Sequence, residues 1–365
     1  MLPDLEVGGG QVLVLRTLRA MPTEVHQVVC TMRGGPLRDA YEEAGVEVEV
    51  VGGRGGPLPA VARTLQIARH RRAEVIHTNH TPTDRVVGQA VGALCRLPVV
   101  NTFHGMAPPA RRGDVGRGLN LALAHTNIRR FVAVSSAVAA SYTSALRLRP
   151  ERVTVVHPGL PPDAFTAPDP EAVDAARRAL AIGRDERVVV VVARLVAGKG
   201  HVLALRALQI LLTGRPSTRL LVVGDGPERH PLELAARRLG VARHVDFLGQ
   251  SDDVAVLLAV ADVVLSASES EGFGLTVLEG MAAGRPVVAT RQPAYDDFVV
   301  DGGSALIVPH EPEPMADALR RVFDRPDLAG RLAVAGRQAA ARFTTAASAE
   351  RLLDVYRAVL GRRAS

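Results

Sequence analysis

Residues 268–290 read SESEGFGLTVLEGMAAGRPVVAT, with Glu271 and Glu279 separated by seven residues. Gly272 and Gly274 flank Phe273 and allow a tight turn with close backbone approach. A helix is expected to begin near Leu275 and to stop at Gly284, with Pro286 beyond it. The first amides of such a helix are unpaired and carry partial positive charge, so they form an anion site. Glu279 falls about one turn into the helix, and helical side chains lean back toward the N-terminus. Glu271 falls on the other side, in the loop. Carboxylates avoid a bare phosphate, but two of them flanking a phosphate site can accept hydrogen bonds from hydroxyls on either side. Ribose, diphosphate and sugar have that layout. The plain alternative is a surface loop with a capped helix; the agreement of spacing, turn and preceding strand favours the binding reading.

The stretch ARLVAGKGH supplies the cations. Lys199 is the only lysine among 44 basic residues, and it stands in a glycine loop. That isolation suggests a need for a compact ammonium rather than a planar fork. Arg194 stands five residues earlier, and together they suit a diphosphate. A Walker P-loop would need Gly at 193 and Ser or Thr at 200; the chain has Ala193 and Gly200. GDGPE at 224–228 follows an apolar run, but Arg229 stands where a dinucleotide fingerprint wants glycine, which disfavours a dehydrogenase. His104, in TFHG, could contact a sugar or an acceptor, or be a hydrogen-bonded turn residue. His77 and His80 in HTNH have no third metal ligand in sequence range. Asp-x-Asp does not occur, so a metal-held diphosphate lacks its usual carboxylates.

These residues need strand ends to stand on. Nearly continuous apolar runs recur: AEVIHTNH, LPVVNTFHG, RFVAVSS, RVVVVVARL, TRLLVVGDG, ADVVLSAS and RPVVAT. Continuous runs indicate strands buried on both faces, hence parallel sheets flanked by helices. Helical patterns such as HVLALRALQILL and PLELAARRLG lie between them. Strand–helix alternation predicts doubly wound α/β domains, whose ligands bind beyond the carboxyl ends of strands. The length of 365 residues argues for two such domains. Proline and acid cluster in LPPDAFTAPDPEA, so the expected division is 1–165, 166–344 and a final helix in 345–365. Leu352, Leu353, Tyr356, Val359 and Leu360 make one stripe on that helix.

Composition narrows the partners. Aromatic residues are 3% with no tryptophan, which weakens a nucleic-acid reading that would need stacking platforms. Cys30 and Cys95 have apolar neighbours and no ligand spacing, as expected of small buried residues in a reducing compartment. With no long apolar span and no secretory signal, the expectation is a cytoplasmic protein. The net charge of +6 lies wholly in residues 1–165, where 19 arginines meet 13 acids; the remainder has 25 of each sign. A basic face suits an anionic partner such as a glycan, a lipid phosphate or the inner face of the cell membrane. Arg111, Arg112, Arg129 and Arg130 are the candidate patch; a solvated arginine-rich surface is the plain alternative.

The chain resembles the retaining GT-B glycosyltransferases of family 4, which carry a Glu-x7-Glu motif. The resemblance rests on ESEGFGLTVLEGMAAGRPVVAT, ARLVAGKGH, LLVVGDGPE and VDFLG in the second half. In the first half it rests on EVGGGQ, with Gly8 and Gly9 at paired glycines, and on TFHG. It implies two Rossmann-like domains facing across a cleft, with the last helix crossing back to the N-terminal domain. It implies a sugar moved from a nucleotide-diphosphate sugar, UDP or GDP, to a cell-envelope glycan or lipid-linked acceptor, without a metal cofactor. Arg194 and Lys199 would hold the diphosphate, Glu279 the ribose and Glu271 the sugar hydroxyls. Amides near Gly272, Phe273, Gly274 and Leu275 would complete the donor site. His104, as a catalytic residue beside Glu271, Arg194 and Lys199, and Gly8 and Gly9, as further donor contacts, would come from the facing domain, which binds the acceptor.

Three departures stand out. The usual Gly-Gly-x-x-Glu near the sugar is RQPAYDD at 291–297, with Asp297 aligned to the glutamate. The usual Asn-Gly after the sixth strand is HPG, His157 to Gly159. Only MLPDLEV precedes Gly8, where a central apolar strand is expected, and Pro3 lacks a ladder donor. The expectation there is an upstream start, or a short first strand and a poorly stable domain. Rival readings are a nucleotide-sugar epimerase or hydrolase of the same fold and a non-catalytic nucleotide-sugar-binding protein.

Overall fold

The computed structural model describes residues 1–53, 56–79, 82–108 and 126–362. The chain divides into two compact units, Met1–Gly159 with Phe343–Ser365, and Leu160–Arg342. Each is a Rossmann-like α/β unit built on parallel strands. Among the described residues, no helix is long and apolar enough to cross a membrane.

The first unit runs α1 (Gly9–Arg19), β1 (Val28–Thr31), α2 (Arg38–Glu43), β2 (Glu47–Val50), α3 (Pro57–His70) and β3 (Ile76–Asn79). It continues with α4 (Pro82–Cys95), β4 (Val99–Phe103), β5 (Ile128–Ala133), α5 (Ser136–Ala145) and β6 (Val153–Val155). β4 is buried at all five positions, as its apolar run requires. The strands form two groups, β1-β2 and β3-β4-β5-β6. Among the described residues, Met1 and Leu2 link them through main-chain bonds. Leu2 pairs in parallel with Thr31, and the Asn79 amide donates to the Met1 carbonyl at 3.1 Å. The expected first strand is therefore represented here by a bridge.

The C-terminal helix, Thr345–Val359, belongs to this unit. The Thr344 hydroxyl caps it by accepting from the Ala347 amide. Leu352 packs with Met21, Val100 and Val132, and Val355, outside the predicted stripe, is buried beside it. The departure at His157 to Gly159 docks this helix: Ser348 donates to the His157 carbonyl at 2.6 Å. A Cβ on Gly159 would stand 2.0 Å from the Thr344 carbonyl group.

The second unit runs α6 (Pro170–Ala179), β7 (Arg187–Val192), α7 (His201–Leu212), β8 (Thr218–Val223), α8 (Arg229–Arg238), β9 (Val245–Gly249) and α9 (Val254–Val260). It continues with β10 (Val263–Ser266), α10 (Leu275–Ala282), β11 (Val287–Thr290), β12 (Leu306–Val308), α11 (Pro312–Asp324) and α12 (Pro326–Ala340). All six strands are parallel, in the order β12-β11-β10-β7-β8-β9. Val189, Val191, Leu220 and Leu265 on the sheet pack against Leu205, Leu208 and Leu319 on helices. The strand order reverses between β7 and β10. In sheets of this kind ligands bind beyond the carboxyl ends of the strands at such a switch point.

Two outcomes test this frame. His77 in β3 meets the Tyr356 hydroxyl at 2.6 Å and the Thr102 hydroxyl at 2.7 Å. Burial, with the Met1 ammonium and His104 adding, lowers its pKa to about 3. An unfolded histidine takes a proton near 6.5, so folding stability falls as pH drops from there toward 3, by about 1.4 kcal/mol per unit. Thermal unfolding followed by circular dichroism should show a steep fall in midpoint between pH 7 and pH 5, and a shallower one in His77→Gln. Parallel falls in both proteins would contradict the assignment. Gly159→Ala should lower the midpoint by the equivalent of roughly 1–3 kcal/mol, because the collision is with backbone rather than a movable side chain.

Candidate active site

The loops after β7, β8 and β10 meet at the switch point of the second unit. Gly200 sits at φ +70°, and a Cβ there would lie 1.8 Å from the Ala267 carbonyl oxygen. The Gly-Lys-Gly loop therefore rests directly on the chain leaving β10. The Glu269 amide donates to the Gly198 carbonyl at 2.8 Å, which ties the two loops. Lys199 and Glu271 are brought together by this contact, with Nζ to Oε1 at 2.6 Å and both side chains mostly buried. Arg194, at the start of the same loop, is exposed.

The third loop is fastened to the first. The Leu195 amide donates to the Asp225 carbonyl, and the Glu228 amide donates back to the Leu195 carbonyl, both at 2.9 Å. Gly224, at φ +131°, lets GDGPE lie against Ala193, where a Cβ would come within 2.1 Å of the carbonyl oxygen. His201, at the start of α7, is buried, which lowers its pKa, and in neutral form its Nε2 proton is donated to the Arg194 carbonyl at 3.1 Å.

Helix α10 starts where the sequence indicates. Gly274 is its N-cap at φ +100°, and Gly284 stands just past its end at φ +65°. Gly272 and Glu279 are half-buried, Phe273 is buried, and Leu275 is half-buried at the first helical position. The Thr276 hydroxyl donates to the Val192 carbonyl at 2.9 Å and fixes the helix start to the end of β7.

Several supporting residues carry no sequence signal. Thr290 and Gln292 both donate to the Ser268 carbonyl at 2.6 Å, anchoring the base of the Glu271 loop. RQPAYDD forms a short turn over Pro293–Asp297 that buries Tyr295 and leaves Asp297 half-buried. The Tyr295 hydroxyl meets the Ser266 hydroxyl at 3.2 Å. Its ring faces the backbone of Gly274, where a Cβ would come within 2.3 Å. Phe298 completes an aromatic cluster with Tyr295 and Phe273.

In the first unit, Gly8 caps α1 and Gly9 begins it. His104 lies beside this loop, its Cγ 3.7 Å from where a Cβ on Gly10 would stand. His104 Nε2 donates to the Asn79 side-chain oxygen at 3.0 Å, and the Asn79 amide donates to Asp84. His77 is enclosed by Tyr356 and Thr102, as described, while His80 lies outside the described residues. Among those residues, no group of three or more His, Cys, Asp or Glu is arranged to hold a metal. Both cysteines are free; Cys30 is buried, which raises its thiol pKa, and Cys95 is half-buried. Arg129 is exposed, Arg130 donates to the Glu151 carbonyl, and Arg111 and Arg112 lie outside the described residues.

Residues 7–164 match the model described as Glycosyltransferase Family 4, and residues 173–339 match Glycosyl transferases group 1. A D-inositol 3-phosphate glycosyltransferase of Thermobispora bispora is 32% identical, covering 96% of this chain and 86% of its own. One from Corynebacterium diphtheriae is 32% identical over 79% of this chain and 71% of its own. Among solved structures, Anabaena Alr3699/HepE in complex with UDP-glucose superposes with a TM-score of 0.88 at 23% identity, covering 98% of this chain and 99% of that one. That last likeness concerns the fold. The sequence matches span both units, and the chain belongs to the family 4 glycosyltransferases, of GT-B fold.

Proposed function

We propose that the second unit binds a nucleotide-diphosphate sugar and that the enzyme transfers its sugar with retention of configuration. The observation that carries this reading is the Lys199–Glu271 pair at the switch point, next to the glycine-capped start of α10. In this reading Lys199 and Arg194 take the diphosphate, with the amides from Gly272 to Leu275 adding donors. Glu279 accepts from the ribose hydroxyls and Glu271 from the sugar. Glu271 also holds the Lys199 ammonium in place until the diphosphate arrives. UDP is the first nucleotide to test, since the Anabaena structure holds UDP-glucose.

The reaction breaks the bond between the anomeric carbon and the diphosphate oxygen. A new bond forms from an acceptor hydroxyl on the same face, and the hydroxyl proton passes to the departing phosphate. Charge grows on the diphosphate as the bond breaks, and preorganised cations and amides stabilise it. The acceptor is assigned to the first unit, with His104 kept as a catalytic candidate and Gly8 and Gly9 as donor contacts. A cell-envelope glycan or lipid-linked acceptor fits the basic excess of residues 1–165, as does peripheral contact with an anionic membrane. A second reading is a small phosphorylated polyol acceptor, favoured by relatives named D-inositol 3-phosphate glycosyltransferases. Incubation with UDP-, GDP- and ADP-sugars, each with inositol 3-phosphate or a membrane lipid extract, separates these. Donor consumption that needs no acceptor would point instead to an epimerase or hydrolase.

Two substitutions test the donor site. Lys199→Arg keeps the charge but is wider and planar. Steady-state turnover should fall more than tenfold, about 1.4 kcal/mol in the transition state, with thermal stability unchanged. Activity within about twofold of the parent would return Lys199 to an ordinary surface ion pair. Glu279→Ala removes a charge-assisted bond worth roughly 1.5–3 kcal/mol. Calorimetric titration with the nucleoside diphosphate should show binding weakened by about tenfold or more, and unchanged affinity would remove Glu279 from the site.

A further inference from the structure

Helix α7 opens with a histidine where the core would be better served by an apolar residue. His201 is the first residue of α7, behind the left-handed cap Gly200, and only 5% of it is exposed. Leu203, Ala204 and Leu205, just beyond it in the helix, belong to the apolar core of the second unit, as does Leu195 in the loop before it. Burial above all, with the Lys199 ammonium adding, lowers the pKa of His201 against the effect of its bond to Arg194, so the ring is neutral. A neutral imidazole has two ring nitrogens to satisfy. Nε2 donates to the Arg194 carbonyl at 3.1 Å, while the buried Nδ1 has no hydrogen-bond partner among the described residues. A buried polar atom left without a partner costs free energy, and packing alone does not explain it.

The Arg194 carbonyl does not need the imidazole. It already accepts from the Val196 amide at 2.9 Å. What the imidazole adds is a tie between two ends of a loop, seven residues apart. Gly198 and Gly200, both left-handed, stand on either side of Lys199. Glycines on both sides leave the lysine backbone with little restraint of its own. The loop is also fastened outward, at Leu195 to the Asp225 carbonyl and at Gly198 to the Glu269 amide. Those bonds hold each end to a different neighbour. Among the described residues, the His201 bond is the one side-chain hydrogen bond that runs from one end of this loop to the other.

We propose that His201 is a positioning residue for the diphosphate: its bond to the Arg194 carbonyl closes the loop that carries Arg194 and Lys199, so that both cations meet the ligand at one separation. This role rests on the donor reading above and adds a residue to it. A closed loop leaves less ordering to be done when the ligand binds. A polar ring kept in an apolar core is the trade of stability for function expected where the site, and not the fold, sets the residue.

Three substitutions at this position test the role, with Lys199→Ala measured beside them. His201→Leu removes the donor and keeps the bulk. His201→Gln keeps an amide donor long enough to reach the Arg194 carbonyl, and His201→Asn holds its amide one bond shorter. Calorimetric titrations use UDP, GDP and ADP, and then the nucleoside of whichever binds. His201→Leu should bind the nucleoside diphosphate about fivefold or more weakly, with the nucleoside within about twofold of the parent. Its unfolding midpoint should stay level or rise, because an unpartnered buried nitrogen is gone and the Arg194 carbonyl keeps the Val196 amide. His201→Gln should return to within about twofold of the parent. Unchanged diphosphate affinity in His201→Leu, where Lys199→Ala binds weakly, overturns the role and leaves the donor reading standing. If both variants bind like the parent, or no nucleotide binds the parent, the donor reading falls and the role with it. Equal losses for nucleoside and diphosphate, or a loss with a lowered midpoint, make His201 an ordinary core residue, as does a Gln variant as weak as the Leu one. If His201→Leu fails to fold, binding about fivefold or more weaker in His201→Asn than in His201→Gln supports the role, and equal binding overturns it.

Discussion

The site in the second unit depends on one backbone contact, the Gly200 loop resting on the Ala267 carbonyl. No side chain fits between them, and the left-handed φ at residue 200 favours glycine for a second reason. Because the loops touch, the Glu269 amide reaches the Gly198 carbonyl and Lys199 reaches Glu271. Thr276 then fixes the start of α10 to the end of β7. A cation, a carboxylate and a helix start thus share one frame before any ligand arrives. Preorganisation of that kind is what lets charged groups stabilise a transition state without reorganising during reaction.

The Lys199–Glu271 pair is poor evidence of a contribution to stability. Removing two charges from water costs free energy that a single contact barely offsets, and partly exposed pairs contribute little. Its value lies elsewhere. In the proposed reading a diphosphate would bring two or more negative charges to the loop, so the ammonium would gain a stronger partner and Glu271 would be free to accept from neutral hydroxyls. An arginine at 199 would hold Glu271 in a bidentate fork. The isolated lysine in an arginine-rich chain fits a site in which the first ion pair must be exchangeable.

The sequence made the frame legible wherever local chemistry decides. The valine runs of β7 and β10, the glycine at each end of α10 and the single lysine all point to their places. What escaped depends on partners distant in sequence. Thr290 and Gln292 look like ordinary strand-end residues, and only the fold shows both of them donating to Ser268. Val355 falls off the expected helical stripe because the last helix meets β4, β5 and α1 together rather than one flat surface. The pairing of Met1 and Leu2 escaped for a related reason. Pro3 argues against a strand at the chain start, yet Met1 and Leu2 bridge β1 and β3 through bonds that do not need residue 3 as a donor.

Gly274 has a packing cause that the sequence does not show. A glycine before a helix suggests room for a ligand to approach the amides, and its φ of +100° agrees. The space a Cβ would occupy, however, is held by the Tyr295 ring. Tyr295 comes from RQPAYDD, the segment that departs most from the family pattern. In a chain with 3% aromatic residues, Tyr295, Phe273 and Phe298 gather under this one turn. The glycine, itself buried, therefore admits a buried ring against its backbone. The Tyr295 hydroxyl bonds Ser266 at the end of β10, so the ring is fixed to the sheet that also carries the Glu271 loop. Where the family pattern places flexible glycines beside the sugar, this chain stiffens the turn with an aromatic wedge. Asp297 closes the same short turn, half-buried, so any contact it makes is carried on a segment packed around Tyr295.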